Sequence, residues 1–199
     1  MKIVIVGAGI SGISVFTFLK KLLPTPPAHL PPHEILIYES HDASRRAKTA
    51  EPACDFSPIG GALGIAPNGM KVLLDLDQQI HAAISVQGYP VSFLQLKSAY
   101  GWLLARFNAM DPTRSMQRTI MCSRQAVWDC LRDSIPDDAI TQNVVKEVSI
   151  GANGRPRVLF LDDSSIEADL VIGADGVRSI VKRTVTGDGK KDNYTPIYE

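Results

Sequence analysis

Three glycines near the start of the chain, Gly7, Gly9 and Gly12, stand in the order G-x-G-x-x-G between a short apolar strand and a helical pattern. In such a turn the first glycine permits a tight bend and the second leaves room for a pyrophosphate beside the backbone. The third lets the helix pack closely on the sheet. The helix N-terminus then presents unpaired N–H groups and a favourable dipole to the phosphates. These glycines predict a pyrophosphate-binding turn.

An acidic residue, Glu39, ends the next apolar strand, at residues 34–38. A carboxylate at this place in a strand–helix–strand unit can accept hydrogen bonds from the ribose hydroxyls of an adenosine. Because its negative charge would repel a 2′-phosphate, Glu39 favours FAD or NAD over NADP at this site. Together with the glycine turn, Glu39 predicts a dinucleotide-binding βαβ unit.

Composition narrows the class of protein. The 199 residues are 45% hydrophobic, which suits one domain or one domain with part of another. Equal numbers of basic and acidic residues, 21 of each, give no electrostatic reason to expect binding to nucleic acid or to an anionic membrane.

Cys54, Cys122 and Cys130 lack C-x-x-C spacing, so neither a disulfide framework nor a metal site is expected. No apolar run approaches the roughly 20 residues of a membrane span and the first strand starts at Lys2, so we expect a cytoplasmic protein.

Hydrophobic periodicity and turn residues predict the elements that position these groups. Helices are expected at residues 10–23, 69–76 and 124–133, the last one capped by Ser123. Strands are expected at residues 2–6, 34–38, 119–122 and 170–172, with a hairpin at 91–107 and a small meander at 144–150, 158–161 and 165–167. Residues 24–32 and 40–57 are expected to form loops.

A second glycine motif, Gly173-Ala-Asp175-Gly176, follows the last predicted strand. In chain order it comes after the glycine turn, Glu39, the glycine-rich segment at residues 60–68 and the pair Ser123-Arg124 at a helix start. In this order the motifs resemble those of the class A FAD-dependent monooxygenases, the para-hydroxybenzoate hydroxylase-like group. A plain NAD-dependent dehydrogenase is the weaker alternative, because it leaves the second motif without a role.

The resemblance implies a set of FAD-binding residues. The glycine turn would hold the pyrophosphate and Glu39 the adenosine ribose, while the Arg124 guanidinium would reach the ribityl and pyrophosphate region. Arg178 is a further candidate near the second motif, and Arg45 or Arg46 a weaker one. The full set of cofactor-binding candidates is Gly7, Gly9, Gly12, Glu39, Gly61, Ala62, Arg124, Asp175 and Gly176.

The resemblance also implies the fold and its division. We expect an α/β, Rossmann-like FAD-binding domain of the glutathione-reductase type, a βαβ unit with a β-meander, and only the start of a substrate-domain sheet. Residues 1–80 would form the first part of the FAD-binding domain, 81–112 a partial substrate-domain hairpin and 113–199 the second FAD-binding part. A later Gly-Asp-Ala-Ala-His-like segment of the family is not found in this sequence, so we expect the N-terminal portion of the family's fold.

The implied activity is that of a monooxygenase. NADPH or NADH would reduce FAD, oxygen would form a flavin C4a-hydroperoxide, and a small organic metabolite, such as one of secondary metabolism, would be hydroxylated or epoxidised. The sequence names no catalytic acid or base. The alternative is a non-catalytic FAD-binding fragment or regulatory paralogue that needs a partner chain.

Overall fold

The computed structural model describes residues 1–40, 61–109 and 118–187. They fall into two compact units, of which residues 1–40 and 137–187 form the first and residues 61–109 and 118–136 the second. The strands, in chain order, are β1 (Lys2–Val6), β2 (Glu34–Glu39), β3 (Ala62–Ile65), β4 (Tyr89–Val91), β5 (Phe93–Lys97), β6 (Leu103–Asn108), β7 (Thr119–Ser123), β8 (Ile140–Gln142), β9 (Val145–Ile150), β10 (Pro156–Phe160), β11 (Ser165–Glu167) and β12 (Leu170–Gly173). The helices are α1 (Ile10–Leu22), α2 (Pro67–Leu76), α3 (Gln78–Gln87), α4 (Arg124–Arg132) and α5 (Ile180–Thr186), with one 3-10 turn at Asp137–Ala139.

The centre of the first unit is a four-stranded parallel sheet with the order β12-β1-β2-β8. Strand β1 lies between two neighbours and is buried on both faces, which is why its sequence reads as a continuous apolar run. Val4 and Val6 belong to one side of this sheet, whereas Ile3 and Ile5 point to the other, where α1 packs on β1 and β2.

Helix α1 begins directly after Gly9, so that Gly12 lies inside it, and ends before Pro24, close to the predicted span of residues 10–23. Its buried face carries Ile13 and Phe16 at helical spacing, while Lys20 and Lys21 occupy the last turn, where cations suit the helix dipole. The βαβ unit predicted from the first 39 residues is therefore present.

The predicted meander is confirmed as an antiparallel sheet of β9, β10 and β11. Its apolar side chains and those of β1 and α5 share one core, which also holds the rings of Tyr38 and Phe160 with their centroids 4.6 Å apart. The buried members of this core are Val4, Val6, Val145, Val148, Val158, Phe160, Ala168 and Val181. The expected α/β, Rossmann-like domain with a β-meander is confirmed.

The second unit combines a three-stranded antiparallel sheet, in the order β3-β7-β4, with helices α2, α3 and α4. The hairpin expected at residues 91–107 is present as β5 and β6, which pair with each other. Helix α3 was not predicted, although Asp77 is an N-cap signal: its carboxylate accepts hydrogen bonds from the N–H groups of Gln79 and Ile80 at 2.6 and 3.3 Å. The short elements β3, β4, β8 and α5 were also missed, because three to seven residues carry too little periodicity to stand out.

Candidate dinucleotide-binding site

The candidate site in the first unit lies where three parallel strands end. Strands β2 and β12 flank β1, and Val6 pairs with both Tyr38 and Gly173. Because the carboxyl ends of parallel strands meet at one edge of a sheet, the glycine turn, Glu39 and the second glycine motif leave the sheet side by side. This edge brings together six of the nine predicted cofactor residues.

Gly7 makes the bend that the sequence predicts. Its φ is 101°, a conformation that favours glycine, and its N–H donates to the carbonyl of Tyr38 at 2.7 Å. A Cβ at this position would lie 2.5 Å from the carbonyl oxygen of Ala174, while the N–H of Ala174 donates to Val6 at 2.8 Å. The two glycine motifs are therefore in direct backbone contact.

The other two glycines of the turn have opposite surroundings. A Cβ on Gly12 would lie 1.9 Å from the carbonyl oxygen of Gly7, so this glycine is needed for α1 to pack on the turn. A Cβ on Gly9 would meet no atom of the described residues within 4 Å, and its own residue gives the helix that follows no side-chain cap. Open space beside uncapped N–H groups at a helix N-terminus fits a pyrophosphate.

Glu39 reaches back over the glycine turn. Its Oε2 accepts a hydrogen bond from the N–H of Ala8 at 2.7 Å, and its Oε1 accepts one from the Ser40 hydroxyl at 3.1 Å. These two hydrogen bonds hold the carboxylate in place beside the glycine turn. The backbone partner, Ala8, had no signal in the sequence, because any residue can supply that N–H.

The second glycine motif has a structural task in this unit. The Asp175 carboxylate accepts hydrogen bonds at 2.6 Å from both the Ser179 hydroxyl and the N–H of Ile180, so it holds the start of α5 and orients Ser179, the N-cap residue of that helix. Gly176 adopts a φ of 77°, and a Cβ there would meet no atom within 4 Å in the part of the chain that the structure describes. Arg178 lies exposed two residues later. The cofactor contacts expected of Asp175, Gly176 and Arg178 stay predictions.

The second unit brings its three predicted residues together. The N–H of Arg124 donates to the carbonyl of Gly61 at 3.1 Å, and Ala62 pairs with Ser123 across β3 and β7. Ser123 caps α4 as predicted, since its hydroxyl accepts from the N–H of Ala126 at 3.0 Å. Gly61, Ala62 and Arg124 are all exposed. Gly60, Arg45 and Arg46 lie outside the described residues.

Among the described residues, the remaining reactive side chains form no second catalytic or metal-binding site. Cys122 and Cys130 are buried and free, and burial raises the pKa of both thiols, which disfavours the reactive thiolate. Within the described ranges, His, Cys, Asp and Glu do not form a group that could hold a metal ion. In the same ranges, the helices are too short or too polar to cross a membrane.

No protein-family model matches the chain, but curated relatives do. It is 25% identical to the 3-amino-4-hydroxybenzoate 2-monooxygenase of Streptomyces cremeus, over 96% of this chain and 43% of that protein. It is also 25% identical to the dual trans-enoyl reductase/FAD-dependent monooxygenase tazHJ of Aspergillus terreus, over 100% of this chain and 26% of that protein. The chain is a homologue of FAD-dependent monooxygenases.

A solved structure has the same fold as this chain. Klebsiella pneumoniae HpxO, crystallised with FAD and uric acid, superposes with a TM-score of 0.68 at 24% identity, over 92% of this chain and 41% of that one. The chain thus spans less than half the length of each of these three proteins. The resemblance expected from the motifs is confirmed at the level of fold and homology.

Proposed function

We propose that the chain binds FAD and forms the FAD-binding part of a monooxygenase that adds one oxygen atom to a small organic molecule. One observation carries the proposal: the glycine turn contacts the second glycine motif on one side and is hydrogen-bonded to Glu39 on the other. A dehydrogenase would need only the turn and the acid, whereas this arrangement employs both glycine motifs.

The residues of the sheet edge divide the binding task. The space beside Gly9 and the N–H groups at the start of α1 bind the pyrophosphate, and Glu39 orients the adenosine ribose. When bound, FAD supplies electron transfer from NADPH or NADH and the activation of oxygen, and the protein supplies binding and orientation. Gly61, Ala62 and Arg124 are further proposed cofactor contacts in the second unit.

A titration with FAD, followed by flavin fluorescence, tests the proposal. Gly9→Val places a branched side chain in the proposed pyrophosphate space and should abolish measurable binding while the fold is retained. Arg124→Ala should weaken binding by about 1.5–3 kcal/mol, roughly a 10- to 150-fold rise in Kd, if a charged hydrogen bond is lost. Arg118→Ala is the matched control, because this exposed arginine lies at the opposite end of β7.

Binding of FAD by the wild type that Gly9→Val abolishes and Arg118→Ala leaves unchanged would support the site. Unchanged affinity in both Gly9→Val and Arg124→Ala would reject it. Anaerobic addition of NADPH or NADH to the FAD-loaded chain then tests the reaction class, because loss of the flavin absorbance band reports reduction.

A second candidate function is FAD binding without turnover, in a chain that acts only with a partner chain. It is favoured by the exposed apolar face of the hairpin, where Leu94 and Phe107 lie opposite each other and are 52% and 54% exposed. In that case the flavin would bind but neither NADPH nor NADH would bleach it. Bleaching by either nucleotide would exclude this candidate.

The remaining parts of the proposal concern substrate and location. We propose a small organic metabolite as the oxygen acceptor, in agreement with the substrates named for relatives such as the 3-amino-4-hydroxybenzoate 2-monooxygenase. A cytoplasmic location is likewise proposed, and the free state of Cys122 and Cys130 is compatible with a reducing compartment.

A further inference from the structure

The dipeptide Asn-Gly occurs twice in the chain, at residues 68–69 and 153–154. Asparagine is chemically labile, and it loses its side-chain ammonia most readily before glycine, which has no side chain to keep the next backbone nitrogen away from the amide carbon. Asn68 belongs to helix α2, whereas Asn153 lies in the turn that joins β9 to β10. The surrounding structure therefore decides which of the two asparagines can react.

The turn at Asn153 is open to solvent. Asn153 and Gly154 are both exposed, and a Cβ on Gly154 would meet no atom of the described residues within 4 Å. Gly154 has a φ of 77°, and its N–H donates to the carbonyl of Gly151 at 2.9 Å. Freeing the Gly154 nitrogen for reaction thus requires the opening of a surface turn and leaves the sheet itself paired.

The Asn153 side chain is bent back over the peptide that would react. Its Oδ1 accepts a hydrogen bond from the N–H of Arg155 at 3.0 Å, so the side chain spans Gly154. Attack on Cγ places negative charge on this oxygen, and a backbone N–H fixed beside it stabilises that charge. Nδ2, the nitrogen that leaves as ammonia, donates to Glu167 Oε2 at 3.2 Å. The turn therefore orients the amide and supplies a donor to its oxygen.

Helix α2 opposes the same reaction at Asn68. Asn68 follows Pro67 in the first turn of the helix, and the five-membered imide ring that forms in the reaction requires a backbone conformation that an α-helix does not contain. Gly69 is also closely packed, since a Cβ there would lie 2.9 Å from Ile65 Cγ2. Reaction at Asn68 thus requires the first turn of α2 to unfold.

We propose that Asn153 is a site of spontaneous deamidation in the folded chain and that Asn68 is protected. The Gly154 nitrogen gives its proton to water or hydroxide and forms a bond to Asn153 Cγ. The bond between Cγ and Nδ2 breaks, and ammonia leaves with a proton from the solvent. Water then opens the cyclic imide at either carbonyl, which leaves aspartate or isoaspartate at this residue.

The modification places a negative charge beside Glu167. The hydrogen bond from Asn153 is replaced by repulsion between two carboxylates, and isoaspartate also adds a carbon atom to the backbone of the turn. The turn leads directly into Arg155, whose guanidinium forms an ion pair with Asp169. Deamidation should therefore destabilise the meander at this turn.

Conversion rates at the two asparagines test the proposal. The full chain is kept in mildly alkaline buffer with and without urea, and its peptides are analysed by mass spectrometry, in which deamidation adds one dalton. In urea the two asparagines should react at similar rates, because both precede glycine. In the folded chain Asn153 should react about tenfold or more faster than Asn68, because only the reaction at Asn68 requires a helix to unfold. A ratio no larger than in urea, or no conversion of Asn153 in the folded chain, would overturn the proposal.

Variants test the consequence for stability. Asn153→Asp, which imitates one product, should lower the melting temperature of the chain, and it should lower that of Glu167→Gln by less, because the facing charge is then absent. Asn68→Asp is the matched control, since a carboxylate in the first turn of α2 suits the helix dipole and should not lower the melting temperature. An equal loss with and without Glu167→Gln would refute the repulsion.

Discussion

At the scale of single residues, the three glycines of the first turn have different tasks. Gly7 supplies a backbone angle, with a φ of 101°, that other residues rarely adopt. Gly12 supplies close packing, because its Cβ would collide with a backbone carbonyl that cannot rotate away. Gly9 supplies only empty space. Two of these tasks serve folding, and the third serves the proposed ligand.

A comparison of two alanine variants separates these tasks. Gly12→Ala should lower the free energy of unfolding by about 1–3 kcal/mol, since overpacking against backbone outweighs the gain in helix propensity of about 1 kcal/mol. Gly9→Ala should lower the free energy of unfolding by less than about 1 kcal/mol, because alanine is a poorer N-cap residue than glycine. Urea denaturation measures both. Equal stability of the two variants would contradict the packing role of Gly12.

Asp175 is the other residue whose task can be measured. Asp175→Ala should lower the free energy of unfolding by about 1–2 kcal/mol, because it leaves the N–H of Ile180, at the start of α5, without its acceptor. Arg178→Ala, an exposed neighbour, is the control. Thermal unfolding of both variants checks the effect, and an Asp175→Ala protein as stable as wild type would show that this hydrogen bond is dispensable.

At the scale of elements, a clamp at the start of two strands aligns β12 with β1. The N–H of Lys2 donates to Asp169 Oδ2 at 2.7 Å, and the N–H of Asp169 donates to the carbonyl of Lys2 at 2.8 Å. Arg155 adds an ion pair to the same carboxylate. This clamp helps hold the register that places the glycine turn beside the second glycine motif at the opposite ends of the strands.

The clamp should make stability depend on pH. The hydrogen bond from the Lys2 backbone, followed by the contact with Arg155, lowers the pKa of Asp169 below its ordinary value of 3.8. A lowered pKa means that the contribution is complete above pH 3.8 and is lost as the pH falls through the folded-state pKa. Wild type should therefore melt at a higher temperature than Asp169→Asn at neutral pH, and the difference should shrink below that value. A difference that stays constant with pH would refute the assignment.

At the scale of the whole molecule, the proposed ligand should stabilise the chain. A ligand that binds only the folded state adds RT ln(1 + [L]/Kd), about 2.7 kcal/mol at a hundredfold excess over Kd. The melting temperature should accordingly rise with FAD concentration in the wild type and not in Gly9→Val. Differential scanning fluorimetry with a dye distinct from flavin, or circular dichroism, measures the shift. A rise of equal size in Gly9→Val would place the bound FAD elsewhere.

Titrations of variants with FAD also test the predicted division of the chain into functional parts. Residues 1–80, 81–112 and 113–199 stay the predicted FAD-binding, hairpin and second FAD-binding segments. The compact units of the described residues are defined by packing, with residues 137–187 joining residues 1–40. Packing and ligand binding are different properties, and only variants assayed with FAD assign the latter.

The sequence by itself determined the βαβ unit, the meander, the hairpin and the cap at Ser123, because each depends on local periodicity and turn chemistry. The spacing of Gly7, Gly9 and Gly12, with Glu39 at the end of the next strand, was also enough to predict the dinucleotide motif. The tertiary structure alone decided that β12 lies next to β1, that Asp175 accepts from the N–H of Ile180 and that Arg106 stacks on Phe93. Strand order and side-chain contacts result from burial across the whole fold, and residues far apart in the chain leave no local pattern that reveals such contacts.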